Sequence, residues 1–335
     1  MKAQVLQKHG TVADIAYHTD YADPIPGPGE VVVSIKACAL NYHDIFTMRG
    51  MPGIKVPLPV IMGIDAAGTV AAVGEGVTEW AEGDRVLIDP INRQSGKLFG
   101  EMVDGGLAEL AVVAVHQLVA LPNDISFESG AALPCAYGTA YRMMMTRGKI
   151  AKDETVLILG ASGGVGTCCV QLAKLAGAHV IAAASSQEKM ERLTHIGADE
   201  VINYTDAPFR DQIWERHGKP RIAGGGGVDV VVNFTGGDTW VPALRSLKRH
   251  GRMLTCGATA GYDPQTDIRF IWTFEQNIIG SNGWDMSDIS ALIDLVQTGK
   301  LIPVVDRIYS LSDTRQAFEA LEQRRFFGKI IVSPD

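Results

Sequence analysis

Residues 156–166 read VLILGASGGVG, a short apolar run that passes directly into a glycine-rich turn. The apolar letters are typical of a buried parallel strand, which we predict over residues 156–160. Gly163, Gly164 and Gly166 let the backbone turn tightly and approach a phosphate group with no Cβ in the way. The stretch therefore predicts a strand followed by a phosphate-binding turn.

The residues after the turn give this interpretation its context. Residues 165–176 have helical spacing, so the free N–H groups at the start of that helix would face the phosphates. A second strand-like run, residues 179–184, follows at the spacing of a βαβ unit. Ala161 replaces the first glycine of the strict G-x-G-x-x-G pattern, and a plain tight turn is the alternative. The context favours a dinucleotide-binding turn.

Composition and charge exclude several other classes of protein. A chain of 335 residues with 46% hydrophobic residues and 37 glycines is long enough for two α/β-type domains. A net charge of −8 leaves no basic stripe for a nucleic acid. No run of eighteen apolar residues predicts a membrane span, so we expect a soluble, cytoplasmic protein. Five cysteines without CxxC spacing argue against a disulfide framework.

The pattern of elements changes near residue 126. The first 125 residues are rich in short strands, predicted at 31–40, 63–74 and 83–88, and this favours a β-barrel domain. Strands and helices then alternate, as a doubly wound parallel sheet requires. The strands of this second region are predicted at 156–160, 179–184, 228–234, 252–257 and 277–281, with helices at 165–176, 187–196 and 239–249. A helix at 287–298 and strands at 298–305 and 327–334 would return to the first domain.

Several strings in this order carry a resemblance to a known family. They are PGPGEVVVSIKA (26–37), GIDAAGTVAAVGEGVTEWAEGDRV (63–86), EKMERLTHIGADEVINY (188–204), LVQTGKLIPVV (295–305) and the glycine turn. The chain resembles the medium-chain dehydrogenase/reductase superfamily over essentially its whole length. The resemblance implies an α/β protein with a Rossmann NADPH-binding domain (126–284) and a GroES-like β-barrel catalytic domain (1–125 and 285–335).

The resemblance further points to the zinc-free branch of quinone oxidoreductases and enone or enoyl reductases. Asn41 stands where zinc members carry a cysteine, and Gly63-Ile64-Asp65 replaces their G-H-E motif. Cys135 alone remains at a ligand-like place, and a catalytic zinc needs three protein ligands. We therefore predict no metal, with an unorthodox site of His43, Asp65 and Cys135 left open.

The segment NYHDIFTMRG (41–50) resembles the motif of the quinone-oxidoreductase group and supplies the predicted catalytic residues. Without a Lewis acid, hydrogen-bond donors must stabilise the enolate that forms from an α,β-unsaturated substrate. Asn41 offers an amide, His43 an imidazole and Tyr137 a phenol, while Asp44 is expected to orient the loop. The alternative is that Asn41 and Asp44 merely cap a short helix.

The cofactor is predicted to be NADPH. NAD-specific Rossmann domains place a carboxylate at the end of the second strand; here that position falls on Ala184 or Ser185, with Ser186 next, and holds no carboxylate. These serines and Lys189 could hold a 2′-phosphate, although the serines also suit a helix cap. The resemblance adds further candidate cofactor-binding residues: Thr139, Gly163, Gly164, Val165, Gly166, Tyr204, Gly257, Ala258, Asn282 and Lys329.

These residues lead to a predicted NADPH-dependent, zinc-independent reductase of quinones or activated C=C bonds. A carbonyl-reducing alcohol dehydrogenase and a zeta-crystallin-like NADPH-binding protein are the alternatives. The resemblance implies a homodimer joined at the edge of the Rossmann sheet, for which residues 268–281 are the candidate. The substrate, its proton donor and the oligomeric state stay open at this point.

Overall fold

The structure is a computed structural model that describes residues 1–51 and 53–334. Its described residues form two compact units. Unit 1 comprises Met1–Ala136 and the segment that begins at Ile293, and unit 2 comprises Tyr137–Leu292. The assignment of a catalytic role to one part of the chain and a cofactor-binding role to the other stays a prediction.

The strands and helices are numbered in chain order. The strands are β1 (Ala3–Leu6), β2 (Ile15–His18), β3 (Glu30–Ala39), β4 (Val60–Ile61), β5 (Asp65–Val73), β6 (Arg85–Ile88), β7 (Leu110–Ala114), β8 (Leu118–Ala120), β9 (Thr155–Ile158), β10 (His179–Ala184), β11 (Glu200–Asn203), β12 (Val228–Val232), β13 (Leu247–Thr255), β14 (Asn277–Gly280), β15 (Val305–Ser310) and β16 (Lys329–Ser333). The α-helices are α1 (Tyr42–Arg49), α2 (Phe127–Ala131), α3 (Thr139–Tyr141), α4 (Gly164–Leu175), α5 (Gln187–His195), α6 (Phe209–His217), α7 (Trp240–Ser246), α8 (Ile268–Thr273), α9 (Met286–Gln297) and α10 (Thr314–Glu322). Two π-helical segments, Leu133–Gly138 and Arg142–Arg147, flank α3.

Unit 1 is built on a seven-stranded sheet whose order is β15-β16-β3-β5-β6-β8, with β7 paired to β3. A smaller sheet has the order β2-β1-β4. The long strand β3 is apolar at most positions because it is buried within this unit. Gly68 of β5 is required there, since a Cβ at this position would lie 2.0 Å from the carbonyl oxygen of Ser34. At this position the backbones of β3 and β5 therefore lie too close together for a side chain to fit between them.

Unit 2 is built on a six-stranded parallel sheet of order β11-β10-β9-β12-β13-β14. The chain adds strands in one direction from β9 to β11 and in the other direction from β12 to β14. The strand order thus reverses between β9 and β12, which is the switch point of a Rossmann sheet. Its central strands β9, β10 and β12 are short, mostly apolar runs that are buried at most positions, as in a sheet covered on both faces. The predicted α/β class with a doubly wound parallel sheet is confirmed.

Three details of the predicted elements were wrong. The helix predicted over 239–249 ends at Ser246, because Leu247 already pairs with Val228 in the parallel ladder of β12 and β13. The strand predicted over 298–305 begins only at Val305. The helices α6, α8 and α10 and the strand β11 were not predicted.

Among the described residues, no helix combines the length and apolar character that crossing a bilayer requires.

Candidate functional site

A group of polar residues collects in unit 1 where three strands meet. Asn41 lies just after β3, Asp65 begins β5 and Lys329 begins β16. Antiparallel pairing sets Ala39 opposite both Asp65 and Ile331, so the ends of β5 and β16 lie on either side of the end of β3. The pairing register alone brings together residues that are far apart in the chain.

The three side chains form one buried network. The Asn41 amide nitrogen donates to Asp65 Oδ2 at 2.8 Å and to the Ala39 carbonyl oxygen at 3.1 Å. Lys329 Nζ donates to Asn41 Oδ1 at 2.5 Å and lies 3.5 Å from Asp65 Oδ2. The backbone N–H of Cys135 donates to Asp65 Oδ1 at 2.9 Å. Burial raises the pKa of Asp65, although the Lys329 charge opposes that shift.

Burial and hydrogen bonding bear on the roles predicted for Lys329, Tyr137 and Asn41. Lys329 was predicted to reach a pyrophosphate, but it is only 2% exposed and its ammonium is held by Asn41 and Asp65. Tyr137 was predicted to offer its phenol, but its side chain is fully buried. Asn41 was predicted to donate to a substrate, and both hydrogens of its amide are already engaged within unit 1.

Asp44 holds the turn that leads into α1. Its Oδ2 accepts from the backbone N–H of Asn41 at 2.7 Å, and its Oδ1 accepts from the N–H of Ile64 at 3.3 Å. Complete burial raises the pKa of Asp44 to about 6, against the opposing effect of the Asn41 N–H. These contacts are those of a residue that orients the loop.

His43 forms a dyad with Glu101, a residue that the sequence analysis missed. The distance from His43 Nε2 to Glu101 Oε2 is 2.7 Å, and Thr47 Oγ1 donates to the same carboxylate oxygen at 2.9 Å. Burial lowers the pKa of His43, but the hydrogen bond and charge of Glu101 outweigh it and the net shift is upward. The pKa of Glu101 is lowered, because its bonds to His43 and Thr47 outweigh its own burial. No local motif marks Glu101, which lies in a loop 58 residues from His43.

The predicted phosphate-binding turn lies in unit 2, between β9 and α4. Gly160 has a φ of +67°, and a Cβ at Gly166 would lie 2.3 Å from the Gly160 carbonyl oxygen, so the turn packs directly on the helix. At Gly163, by contrast, a Cβ would meet nothing nearer than 3.7 Å. The first turn of α4 consists of Gly164, Val165, Gly166 and Thr167, all uncharged. The residues present therefore fit a bound pyrophosphate.

The remaining unit 2 candidates follow neighbouring parallel strands, so they share the carboxyl edge of the sheet. Ser185 and Ser186 follow β10, and Tyr204 follows β11. Ser186 Oγ accepts from the backbone N–H of Lys189 at 3.3 Å and so caps α5, as the alternative interpretation expected. A cleft at the ends of β13 and β14 is lined by two further candidates, Gly257 and Asn282. Its other lining residues are Arg142, Arg147, Thr255, Cys256, Gly280 and Ser281. Ala258 directly follows Gly257 in the chain, whereas Thr139 begins α3 and does not line the cleft.

The open question of a metal site concerns His43, Asp65 and Cys135. Within residues 1–51 and 53–334, no group of three or more His, Cys, Asp or Glu side chains is arranged to hold a metal ion. The Asp65 carboxylate instead accepts from Asn41 and from the Cys135 backbone, while His43 Nε2 faces Glu101.

Comparison with known proteins gives matches over most of the chain. Residues 27–123 match the alcohol dehydrogenase GroES-like domain, and residues 164–298 match the zinc-binding dehydrogenase model. A crotonyl-CoA reductase of Streptomyces avermitilis is 31% identical, over 92% of this chain and 80% of its own length. An acryloyl-coenzyme A reductase of Metallosphaera sedula is 31% identical, over 99% of this chain and 100% of its own. A quinone oxidoreductase of Lama guanicoe is 30% identical, over 99% and 97%.

Solved structures also match this chain over almost its whole length. An NAD-dependent alcohol dehydrogenase is 33% identical, with a TM-score of 0.91 over 99% of both chains. The 2-octenoyl-CoA carboxylase reductase CinF, in complex with NADP and 2-octenoyl-CoA, is 25% identical, with a TM-score of 0.86 over 99% of this chain and 87% of its own. The predicted GroES-like domain is confirmed by these matches.

The buried network predicts a large effect of removing Lys329. In Lys329→Met, the Asp65 carboxylate loses its neighbouring positive charge, and we expect the free energy of unfolding to fall by about 3–5 kcal/mol. Lys36→Met, at an exposed lysine of β3, should change it by only about 0.5 kcal/mol. Urea denaturation of both variants measures this difference. Equal losses would contradict a specific role for the Lys329 charge, and adding Asp65→Asn to Lys329→Met should recover part of the loss.

Proposed function

Because the chain belongs to the medium-chain dehydrogenase/reductase superfamily, we propose that it is an NADPH-dependent, zinc-independent reductase of activated C=C bonds. The observation that carries this proposal is the carboxyl edge of the unit 2 sheet. There a glycine turn follows β9, and serines follow β10 where a carboxylate would select NAD. The named relatives also support a nicotinamide-linked oxidoreductase.

The residues of unit 2 would hold the two ends of the cofactor. The N–H groups at the start of α4 would bind the pyrophosphate. Ser185, Ser186 and Lys189 would receive the 2′-phosphate, since hydroxyl and ammonium groups donate to it and the residue directly after β10 is a serine, not a carboxylate. When bound, NADPH supplies a hydride to the substrate.

We propose enoyl thioesters and related enones as the substrate class. Two of the relatives are named as reductases of crotonyl-CoA and acryloyl-CoA, and CinF holds 2-octenoyl-CoA. Quinones are the second candidate, favoured by the quinone oxidoreductase match. In either case the acceptor oxygen gains negative charge as the hydride arrives, and hydrogen-bond donors must stabilise it. His43 is the predicted donor that is partly exposed, with 31% of its side chain accessible.

Zinc independence is supported by the contacts of the residues at the ligand-like positions. Asn41 and Ile64 replace a thiolate and an imidazole, and an isoleucine cannot bind a metal. Asp65 has Lys329 as its cationic neighbour, at 3.5 Å. A buried ammonium there would oppose the binding of a second cation.

The proposal extends to a homodimer in the cytoplasm. Strand β14 is an edge of its sheet. Ile278 lies on this strand and is 40% exposed. Trp272, in α8 just before β14 in the chain, is 67% exposed. Exposed apolar side chains along an unpaired strand edge are typical of an interface between sheets.

The substrate class is tested with a panel of crotonyl-CoA, an enone, a quinone and an aldehyde. We expect NADPH oxidation to be fastest with the C=C acceptors and to be unchanged in protein dialysed against a chelator. The matched measurement is metal content by elemental analysis. One tightly held zinc per chain, lost together with activity, would contradict zinc independence. NADPH binding without turnover of any acceptor would favour the alternative of a binding protein.

Cofactor choice is tested with Ser185→Asp. The new carboxylate would repel a 2′-phosphate and accept from ribose hydroxyls, so the Kd for NADPH should rise about 10-fold or more while NADH binds more tightly. Titration calorimetry with both cofactors measures the change. Ser290→Asp, on the exposed face of α9, is the matched control and should alter neither Kd.

Two glycines of the turn separate packing from phosphate binding. Gly166→Ala places a Cβ against the Gly160 carbonyl oxygen and should cost about 1–3 kcal/mol of unfolding free energy. Gly163→Ala has room for its Cβ, so it should change stability by about 1 kcal/mol or less. It should nevertheless weaken NADPH binding, because its methyl group occupies space beside the α4 N–H groups. Full NADPH affinity in Gly163→Ala would place the pyrophosphate elsewhere.

The dimer is tested by light scattering, which should give twice the 35.9 kDa of one chain. Ile278→Lys should yield monomers, because it sets a charge on the edge strand. Ile302→Lys alters an exposed apolar residue of unit 1, 67% accessible against 40% for Ile278, and should remain dimeric.

A further inference from the structure

His43 differs from the other predicted donors in having a ring nitrogen still available. Both amide hydrogens of Asn41 are engaged, and Tyr137 is fully buried. The His43 ring uses Nε2 in its bond to Glu101, whereas Nδ1 makes no hydrogen bond to any residue that the structure describes. One N–H group of a partly exposed imidazole therefore remains for a ligand.

Glu101 is built into unit 1 as a fixed partner of this ring. Its side chain is almost fully buried, and the same oxygen, Oε2, accepts from both His43 and Thr47. His43 and Thr47 lie four residues apart in α1, so they present their polar atoms from one face of the helix. A carboxylate held at two points fixes the orientation of the imidazole that binds it.

Three carboxylates shift the pKa of the His43 ring, and the Lys329 ammonium lies beyond them, beside Asp65. Glu101, Asp44 and Asp65 each favour the protonated imidazole, and burial alone opposes it. The balance raises the pKa of His43, so the ring keeps its second proton to higher pH than an ordinary histidine does. The acid form is lost as the pH rises through that pKa.

We propose that Glu101 is the positioning residue that presents His43 Nδ1–H as the proton donor in reduction of the C=C bond. This inference rests on the proposed function and deepens it by naming the donor. It assigns to Glu101 a role that acts only through His43.

The step balances as follows. Hydride adds to the β-carbon with its electron pair, and the π electrons of the C=C bond move onto the conjugated carbonyl as an enolate. The enolate α-carbon then forms a C–H bond with the His43 Nδ1 proton, while the N–H electrons stay on the ring. The imidazolium becomes a neutral imidazole with its proton on Nε2, against Glu101, and solvent returns the lost proton to Nδ1.

The first test uses the wild-type protein without cofactor or substrate. NMR of ¹⁵N-labelled imidazoles, with the signal assigned by His43→Gln among the eight histidines, reports which nitrogen loses its proton as the pH rises. We expect Nδ1 to lose it and Nε2 to keep it. Loss from Nε2 would overturn the proposal whatever the activity.

The second test compares the pH profile of kcat with crotonyl-CoA in wild type and in Glu101→Gln. The glutamine keeps a hydrogen-bond acceptor but removes the charge, so the NMR pKa of His43 should fall. The alkaline limb of the profile should move to lower pH with it. At pH 8 we expect kcat to fall about 10- to 100-fold, with little change in KM. Thr47→Val should give a smaller shift in the same direction.

Glu109→Gln, at a partly exposed glutamate of the same unit, is the matched control and should move neither quantity. An unshifted profile in a folded, active Glu101→Gln would overturn the positioning role and leave the proposed function standing. Absence of turnover with every acceptor in wild type would overturn the proposed function, and the donor role with it. If Glu101→Gln does not fold, Thr47→Val and the wild-type NMR titration decide the question.

Discussion

The antiparallel pairing of β3 with β5 and β16 is the constraint on which the site in unit 1 depends. It places the buried ammonium of Lys329 between Asn41 and Asp65, and the ammonium keeps a carboxylate stable where water cannot reach it. The Asn41 side chain in turn contacts Ala39, Asp65 and Lys329. These three hydrogen bonds fix the direction in which the chain enters α1. The direction of α1 then sets the positions of His43 and Thr47.

The electrostatics of unit 1 follow from this arrangement. Asp44, Asp65 and Glu101 surround one lysine and one histidine, and the three carboxyl groups respond differently to burial. The pKa values of Asp44 and Asp65 are raised, because desolvation dominates at both. The pKa of Glu101 is lowered, because His43 and Thr47 both donate to it. Of the three carboxyl groups, Glu101 is the one whose ionised form is favoured, and it lies beside the His43 imidazole.

Unit 2 depends on a different constraint, the parallel order of its strands. Parallel neighbours end at the same edge, so the turn after β9, the serines after β10 and Tyr204 after β11 belong to one edge. Gly166 allows the turn to pack against α4 with no Cβ between them. Short-range sequence patterns predicted the strand β9, the glycine turn and the helix α4, and the structure shows these three elements.

The sequence by itself determined the glycine turn and the βαβ alternation. These are local patterns, since strand and helix periods and glycine positions act over a few residues. It located the loop that carries Asn41, His43 and Asp44, but it did not anticipate the contacts of Lys329 and it overlooked Glu101. The tertiary structure decided those two, because their roles come from partners 288 and 58 residues away. Such partners are brought together by sheet register and burial, which no local pattern records.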